Sequence, residues 1–442
     1  MQRQPDLTLI KLDCIAARAR REPTCQIFNL MYLLSEDFLA GCFRELRKSA
    51  APGVDGETWE MYSSSLSENL SCMIDWIKRG QYWPQPVRRV NIPKDEHSKR
   101  PLGIPTIGDK IIQLAMTKIL TSIFDGDFLP VSYGYRPGKG AHQALRNLES
   151  CLFTSPITTV IDADIKGFFD NVSHEKLMVC LQQRIGDKKF LRLINRFLKA
   201  GVMEDGVYSD TEIGTPQGGI LSPILSNIFL HYVLDMWLSV KAKTEYTGKI
   251  ALFRYADDFV ICVEKPEEAE KLLEAIRKRF AICGLTLAEE KTRLLSFGRK
   301  AWFKWRGGGK KPETFDFLGF THYVGLSRSG RYKVGRVTSR KKFSKSLSAI
   351  KVWLASVRNT PMRSWWGKLA VKLRGYFQYY GVSGNSTAIS RYANKVRELI
   401  HQALARRSQR KAGLWAKLNR YLACYPLPKP IIYHKWYDIK SA

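Results

Sequence analysis

The stretch Leu252–Val263, LFRYADDFVICV, sets two adjacent acids inside an otherwise apolar run. Its β-branched and aromatic residues read as two short strands, with Asp257 and Asp258 at the tight turn between them. Neighbouring carboxylates beside buried strands repel each other and lose hydration, so each takes up a proton unless a strong positive charge neutralises the pair. The feature therefore demands a sheet, a turn at its edge, and a cation close to that turn.

A second acid-bearing strand lies upstream in Ile157–Ile165, ITTVIDADI, where alternation puts Asp162 and Asp164 on one face. If the two strands are sheet neighbours, the carboxylates converge. Three of them around one point suit one or two Mg²⁺, hard cations that take oxygen ligands and also bind phosphates. Two such ions ~3.5–4 Å apart activate an attacking hydroxyl and stabilise the leaving oxygen of an in-line displacement. A lone Asp-Asp pair usually marks a solvated turn; the apolar flanks and the second acidic strand set this one apart.

Charge names the class of partner. Lys and Arg number 71 against 41 Asp and Glu, a net +30 spread along all 442 residues, which fits a phosphate backbone better than a merely solvated surface. The nine cysteines are scattered with no CxxC pair, and no histidine stands at a metal-binding spacing, which excludes the usual zinc patterns and suits a reducing compartment. No signal-peptide core is visible and no run approaches ~18 apolar residues, so a soluble, cytoplasmic protein with no membrane partner is expected.

Along the chain, Ser35–Lys48 reads as a capped amphipathic helix, and Val87–Ile107 as a basic β-hairpin around a charged turn. From residue 157 strands alternate with packed helices, an α+β pattern, with LTLAEEKTRLLSF expected as strand, turn, strand. KWRGGGKKPETFDFLGF sets a glycine-rich loop before a strand, and SRSGRYKVGRVTSRKKFSKS reads as a basic linker. Beyond it, Trp366, Leu369, Leu373, Phe377 and Tyr380 share one helical face while Lys368 and Lys372 project from another. The expected division is 1–150, 151–325 and 326–442.

Read together, FRYADDF, DADIKGFFDNVSH and GTPQGGILSPILSN resemble the palm motifs of reverse transcriptases, most closely those encoded by group II introns. APGVDG, IPKDEHSKRPLGIP, SYGYRPGKGAH, LTLAEEKT, FDFLGF and LRGYFQYYGVSGN extend the resemblance over nearly the whole chain. It implies a right-hand polymerase of fingers (1–150, with part of the palm), palm (151–325) and a basic, helical thumb or maturase region (326–442). It makes Asp164, Asp257 and Asp258 the ligands of two Mg²⁺ ions and leaves Asp162 a supporting role.

The resemblance also implies that Phe169 lies under the sugar and excludes a ribose 2′-hydroxyl, while Phe168 packs in the core. Lys94 and Arg100 contact the triphosphate, Gln217, Gly218 and Tyr255 line the nucleotide pocket, and Lys291 is a general acid for pyrophosphate. Arg88, Arg89 and Arg136 are expected on a nucleic-acid backbone or in structural ion pairs, and Lys368 and Lys372 on nucleic acid. Implied partners are an RNA template, a DNA primer, deoxynucleoside triphosphates and a group II intron RNA; oligomeric state is not indicated. The cysteine-paired nuclease segment carried by many relatives is expected to be absent. Two other readings stay open: the same enzyme freed from an intron to serve DNA repair, phage defence or CRISPR adaptation, and a splicing factor that only binds RNA.

Overall fold

The computed structural model describes residues 7–93, 99–204, 206–210, 213–214, 218–327, 329–407 and 413–436. The strands are β1 (Val87–Pro93), β2 (Lys99–Ile104), β3 (Thr159–Asp164), β4 (Val202–Glu204), β5 (Val207–Ser209), β6 (Ile250–Tyr255), β7 (Asp258–Val263), β8 (Arg293–Ser296), β9 (Phe315–Phe317), β10 (Phe320–Leu326) and β11 (Tyr332–Thr338). They form sheets of order β2-β1-β4-β5, β6-β7-β3-β8 and β11-β10-β9 among many helices, the α+β class expected. Two compact units emerge: Met1–Ala144 with Ile161–Ile261 and Pro266–Arg293, and Leu145–Val160 with Cys262–Lys265 and Leu294–Ala442.

In the first unit, β1 and β2 make the basic hairpin, in register from Arg88 opposite Ile104 to Pro93 opposite Lys99. Ser35 caps the helix Glu36–Glu45, its hydroxyl accepting from the Phe38 amide at 3.4 Å. The helix Ile107–Phe124 is apolar nearly all round, and it is buried along its whole length, from Ile107 and Ile111 to Ile123 and Phe124. Only the last arm of LTLAEEKTRLLSF is a strand, β8. Leu287 instead bridges Ile165 as a single pair, and the Ala288 amide donates to the Asp164 carbonyl at 2.8 Å, so this arm clips the end of β3 without extending the ladder.

The apolar helix over Ser222–Thr244 corrects the expectation that no run reaches membrane-spanning length: by length and composition this one does, and 67% of its apolar window is buried in the protein. It is a core helix. Its middle, His231–Met236, is wound as a π-helix, the wider turn that recurs at functional sites.

In the second unit the segment read as a basic linker is corrected as well. Tyr332–Thr338 is a regular strand paired with β10 from Phe320 opposite Thr338 to Leu326 opposite Tyr332. Its cations misled because Arg336 is buried, in an ion pair with Glu149 at 2.5 Å and under the Trp436 ring at 3.9 Å. The helices Arg340–Val357, Met362–Tyr380 and Ser386–Ala405 then close a core on Leu354, Trp365, Leu369, Phe377, Tyr392 and Val396.

Candidate active site

The turn joining β6 to β7 is held from beneath. Arg254 is fully buried, and its Nε and Nη2 fork onto Asp235 at 2.8 and 2.5 Å. Its Nη1 donates to the Ala256 carbonyl and to Asn227 Oδ1, both at 3.0 Å. Asn227 in turn donates to the Gly134 carbonyl at 2.8 Å, and the Tyr133 amide donates to the Arg254 carbonyl at 2.9 Å. The π-helical turn supplies Asp235, and the loop SYGYRPGKG runs beside β6. Ala256 holds φ +57° and Tyr135 φ +53°, left-handed values that residues with a Cβ adopt at a cost. Gly134 must be glycine: a Cβ there would sit 2.6 Å from the Ala256 nitrogen.

Sheet order makes β7 the neighbour of β3, so the two acid-bearing strands lie side by side. Burial raises the Asp257 pKa, the negative charge of Asp164 raises it further, and its own backbone hydrogen bond and the cations Arg100 and Arg254 pull it down. Lys291 pairs with Asp164, which raises the lysine's pKa. Asp162 is tied to Arg293 at 2.8 Å, and Asp258 stands exposed at the first position of β7. Among the described residues no three His, Cys, Asp or Glu side chains are gathered tightly enough to enclose a metal ion. Asp257 and Asp164 nevertheless suit one as hard oxygen donors, the charge of Asp164 raising the cost of ionising the half-buried Asp257.

Residues 92–322 match the family model for reverse transcriptase (RNA-dependent DNA polymerase). The chain belongs to that family. It is 35% identical over 296 residues to Protein YkfC of Escherichia coli, covering 60% of this chain and 77% of that one. It is 35% identical over 281 residues to the group II intron-encoded protein LtrA of Lactococcus lactis, covering 61% of this chain and 47% of that one, so it spans about half the length of that relative. A solved telomerase from Candida albicans in complex with a fragment of telomeric RNA aligns over 83% of this chain and 66% of its own at 12% identity and TM-score 0.44. These relatives bear out the resemblance to group II intron reverse transcriptases, and the α+β fold is that of the family.

Within this reverse transcriptase, the other expected site residues separate into three groups. Arg100 is exposed and its charge reaches both Asp257 and Tyr135. Phe168 is buried against Phe229, and Phe169 is half-buried with its ring 5.3 Å from that of Phe168. Tyr255 is half-buried, 6.2 Å from the Tyr135 ring. Gly218, at φ +107°, leaves no room for a Cβ, which would lie 2.6 Å from the Gly103 carbonyl oxygen; the backbone it approaches is β2. Lys94 and Gln217 fall outside the described residues. Lys368 and Lys372 project from the exposed face of Met362–Tyr380, Lys372 lying 5.2 Å over the Trp353 ring.

The third group is a correction. Arg136, expected on a nucleic-acid backbone or in a structural pair, is structural: it donates to the Asp125 carboxylate and carbonyl at 2.8 Å each and to the Leu129 and Ser132 carbonyls, with its side chain 6% exposed. Arg88 clamps the APGVDG loop through the Pro52 and Gly53 carbonyls. Arg89 remains at the surface, paired with Glu204 at 3.3 Å. Sequence reasoning passed over the Arg254–Asp235–Asn227 cluster and Tyr135. A charged residue inside the apolar strand LFRY was the available signal for Arg254; nothing local marks Asp235 or Asn227, which sit inside an apolar helix.

Proposed function

We propose that this chain copies RNA into DNA by two-metal phosphoryl transfer and assists the splicing and mobility of a group II intron. The reading rests most on one observation: Asp257, half-buried in a turn held from below, feels the charge of Asp164 on the neighbouring strand. Asp164, Asp257 and Asp258 would hold the ions, which supply an activated primer hydroxyl and stabilise the leaving oxygen. Arg100, exposed beside that turn, binds the triphosphate of the incoming nucleotide, with Lys94 and Gln217 as its partners in the pocket. Phe169 excludes a ribose 2′-hydroxyl and so selects deoxynucleotides. Lys291, an ammonium beside Asp164, donates a proton to the departing pyrophosphate. Arg89, Lys368 and Lys372 contact nucleic-acid backbone. The intron role is supported by the name of the Lactococcus relative and by the basic helices of the second unit.

Primer extension on an RNA template tests the assignment. Asp257→Ala loses DNA synthesis while RNA affinity measured alongside stays at the wild-type level; a variant that still extends overturns the metal assignment. Sequencing the RNA that copurifies with the chain tests the intron role: intron sequence is expected, and its absence from the bound pool overturns that role.

A further inference from the structure

We propose that the helix Arg299–Arg306 and the glycine turn after it form a contact site for single-stranded RNA, with Phe303 stacking on a base and the surrounding cations pairing with phosphates. The inference rests on the reading that the chain handles RNA, but it concerns a segment to which no polymerase role is assigned.

Thirteen residues, Arg299–Lys311, carry six cations, Arg299, Lys300, Lys304, Arg306, Lys310 and Lys311, and no acid. Among the described residues none of the six forms an ion pair. Some arginines of the chain do find acids, Arg18 with Glu22, Arg79 with Asp75 and Arg277 with Glu289. With thirty more cations than acids many cations of this chain lack such partners; this segment is set apart by its density, six cations within thirteen residues and no acid among them.

The geometry presents them on a rigid support. Trp302 is buried and its ring meets Tyr332 at 5.8 Å; Arg299 lies 5.2 Å over the same Tyr332 ring, which stacks on Phe153 at 5.9 Å. One face of the helix is thereby fixed. The next residue, Phe303, is 60% exposed among the lysines and arginines. After the helix, Gly308 at φ +92° turns the chain back and the Gly309 amide donates to the Lys304 carbonyl at 2.9 Å. A Cβ at Gly309 would lie 2.7 Å from that carbonyl oxygen. The fold-back returns Lys311 to the helix, 6.0 Å over the Trp305 ring.

Cations near a helix C-terminus also complement its dipole, which accounts for Lys304 and Arg306 but not for the 60% exposure of Phe303, whose ring meets only the edge of Trp302 among the aromatic rings of the described residues. An exposed ring braced edge-on by Trp302 at 4.7 Å, in a segment dense in cations, matches the way single strands are held, base on ring and phosphate on ammonium or guanidinium. A duplex offers no free base face to Phe303.

The test uses the full chain and a labelled, unstructured uridine oligomer, read by fluorescence anisotropy over a salt series. Phe303→Ala is expected to weaken binding about ten-fold, the worth of one stacked base, and Phe303→Trp to restore it. Changing Lys304, Lys310 and Lys311 together to Gln is expected to flatten the slope of log affinity against log salt by about 2, at ~0.7 per single-strand phosphate. Wild-type affinity and slope in both variants overturn the proposal, as does a photocrosslink pattern with no site within residues 299–311. Loss of binding to phosphatidylserine vesicles with RNA binding unchanged overturns it in favour of a membrane. Primer extension by the wild-type preparation separates the two readings: extension with unaltered variant binding sinks only this site, and no extension sinks the polymerase reading.

Discussion

A charge with no exposure at all is the residue on which the turn joining β6 to β7 stands. Arg254 contributes five donors, and Asp235, Asn227 and the Ala256 carbonyl accept four bonds from them within a volume that excludes water. A buried pair of this kind contributes little stability over a well-packed apolar pair, yet breaking one side leaves an uncompensated charge at about 3–5 kcal/mol. Asp235→Ala is therefore expected to lower the thermal unfolding midpoint severely. The double change Arg254→Met with Asp235→Leu removes both charges and should regain most of that midpoint. It still lacks the bonds to Ala256 and Asn227, so DNA synthesis should remain impaired in a folded protein. A double variant that is both stable and fully active would show that the cluster is structural only.

Among elements, the loop SYGYRPGKG and the hairpin β6–β7 are interdependent: the loop's backbone pairs with Arg254 on both sides, Val131 accepting at 2.9 Å and Tyr133 donating at 2.9 Å. Gly134→Ala would drive a methyl to 2.6 Å from the Ala256 nitrogen and 3.1 Å from the Tyr255 carbonyl carbon, both backbone atoms that cannot rotate away. The expected result is a folded protein with at least ten-fold slower primer extension, checked by circular dichroism and single-turnover kinetics; wild-type rate in that variant would show that the turn tolerates displacement. This loop was legible only as a turn. Periodicity reveals elements that bury one face, and so the helix at Glu36–Glu45, the hairpin β1–β2 and the acid-bearing strands could all be read in advance. It fails where burial depends on a distant partner. Arg336 reads as linker until Glu149 and Trp436 neutralise and cover it, and Arg136 reads as a surface cation until Asp125 is folded beneath it. The acids themselves were legible from their apolar flanks, whereas the scaffold under them joins Asn227, Asp235 and Arg254, which no local pattern connects.

Across the whole molecule the excess of thirty positive charges sets how nucleic acid is held: with ~6–10 phosphate contacts, affinity should fall ~10³–10⁵-fold between 50 and 200 mM salt, and a flat response in a filter-binding series would contradict it. Burial lowers the pKa of three histidines, His174, His231 and His322, the last two most strongly. His231 lies against Phe128 and Tyr232, its Nδ1 finds no hydrogen-bond partner among the described residues, and burial lowers its pKa to about 4, with Asp235 opposing and Arg254 and Arg136 adding. His322, stacked on Phe315 at 4.9 Å, is lowered to about 3 by burial and by Arg336. Unfolded, both titrate near 6.5, so below that pH the unfolded chain binds the extra protons. Their contribution is fully present above pH 6.5 and is lost as pH falls toward 4, about 3 kcal/mol for His231 alone. Asp109 acts with the opposite sign: burial raises it to about 6, so its contribution is greatest in acid and disappears as pH rises through 6. Asp127, Asp257 and Glu57 are raised by burial as well and add to the effect of Asp109, while His174 adds to that of the two histidines. The large shifts are those of His231, His322 and Asp109, and on these the unfolding midpoint is expected to fall between pH 6.5 and 4. His231→Phe with His322→Phe removes both titrations and keeps the aromatic packing, so its midpoint should fall less steeply between pH 6.5 and 4 than that of the wild-type chain. A double variant that loses stability in acid as steeply as the wild-type chain would place the proton uptake elsewhere.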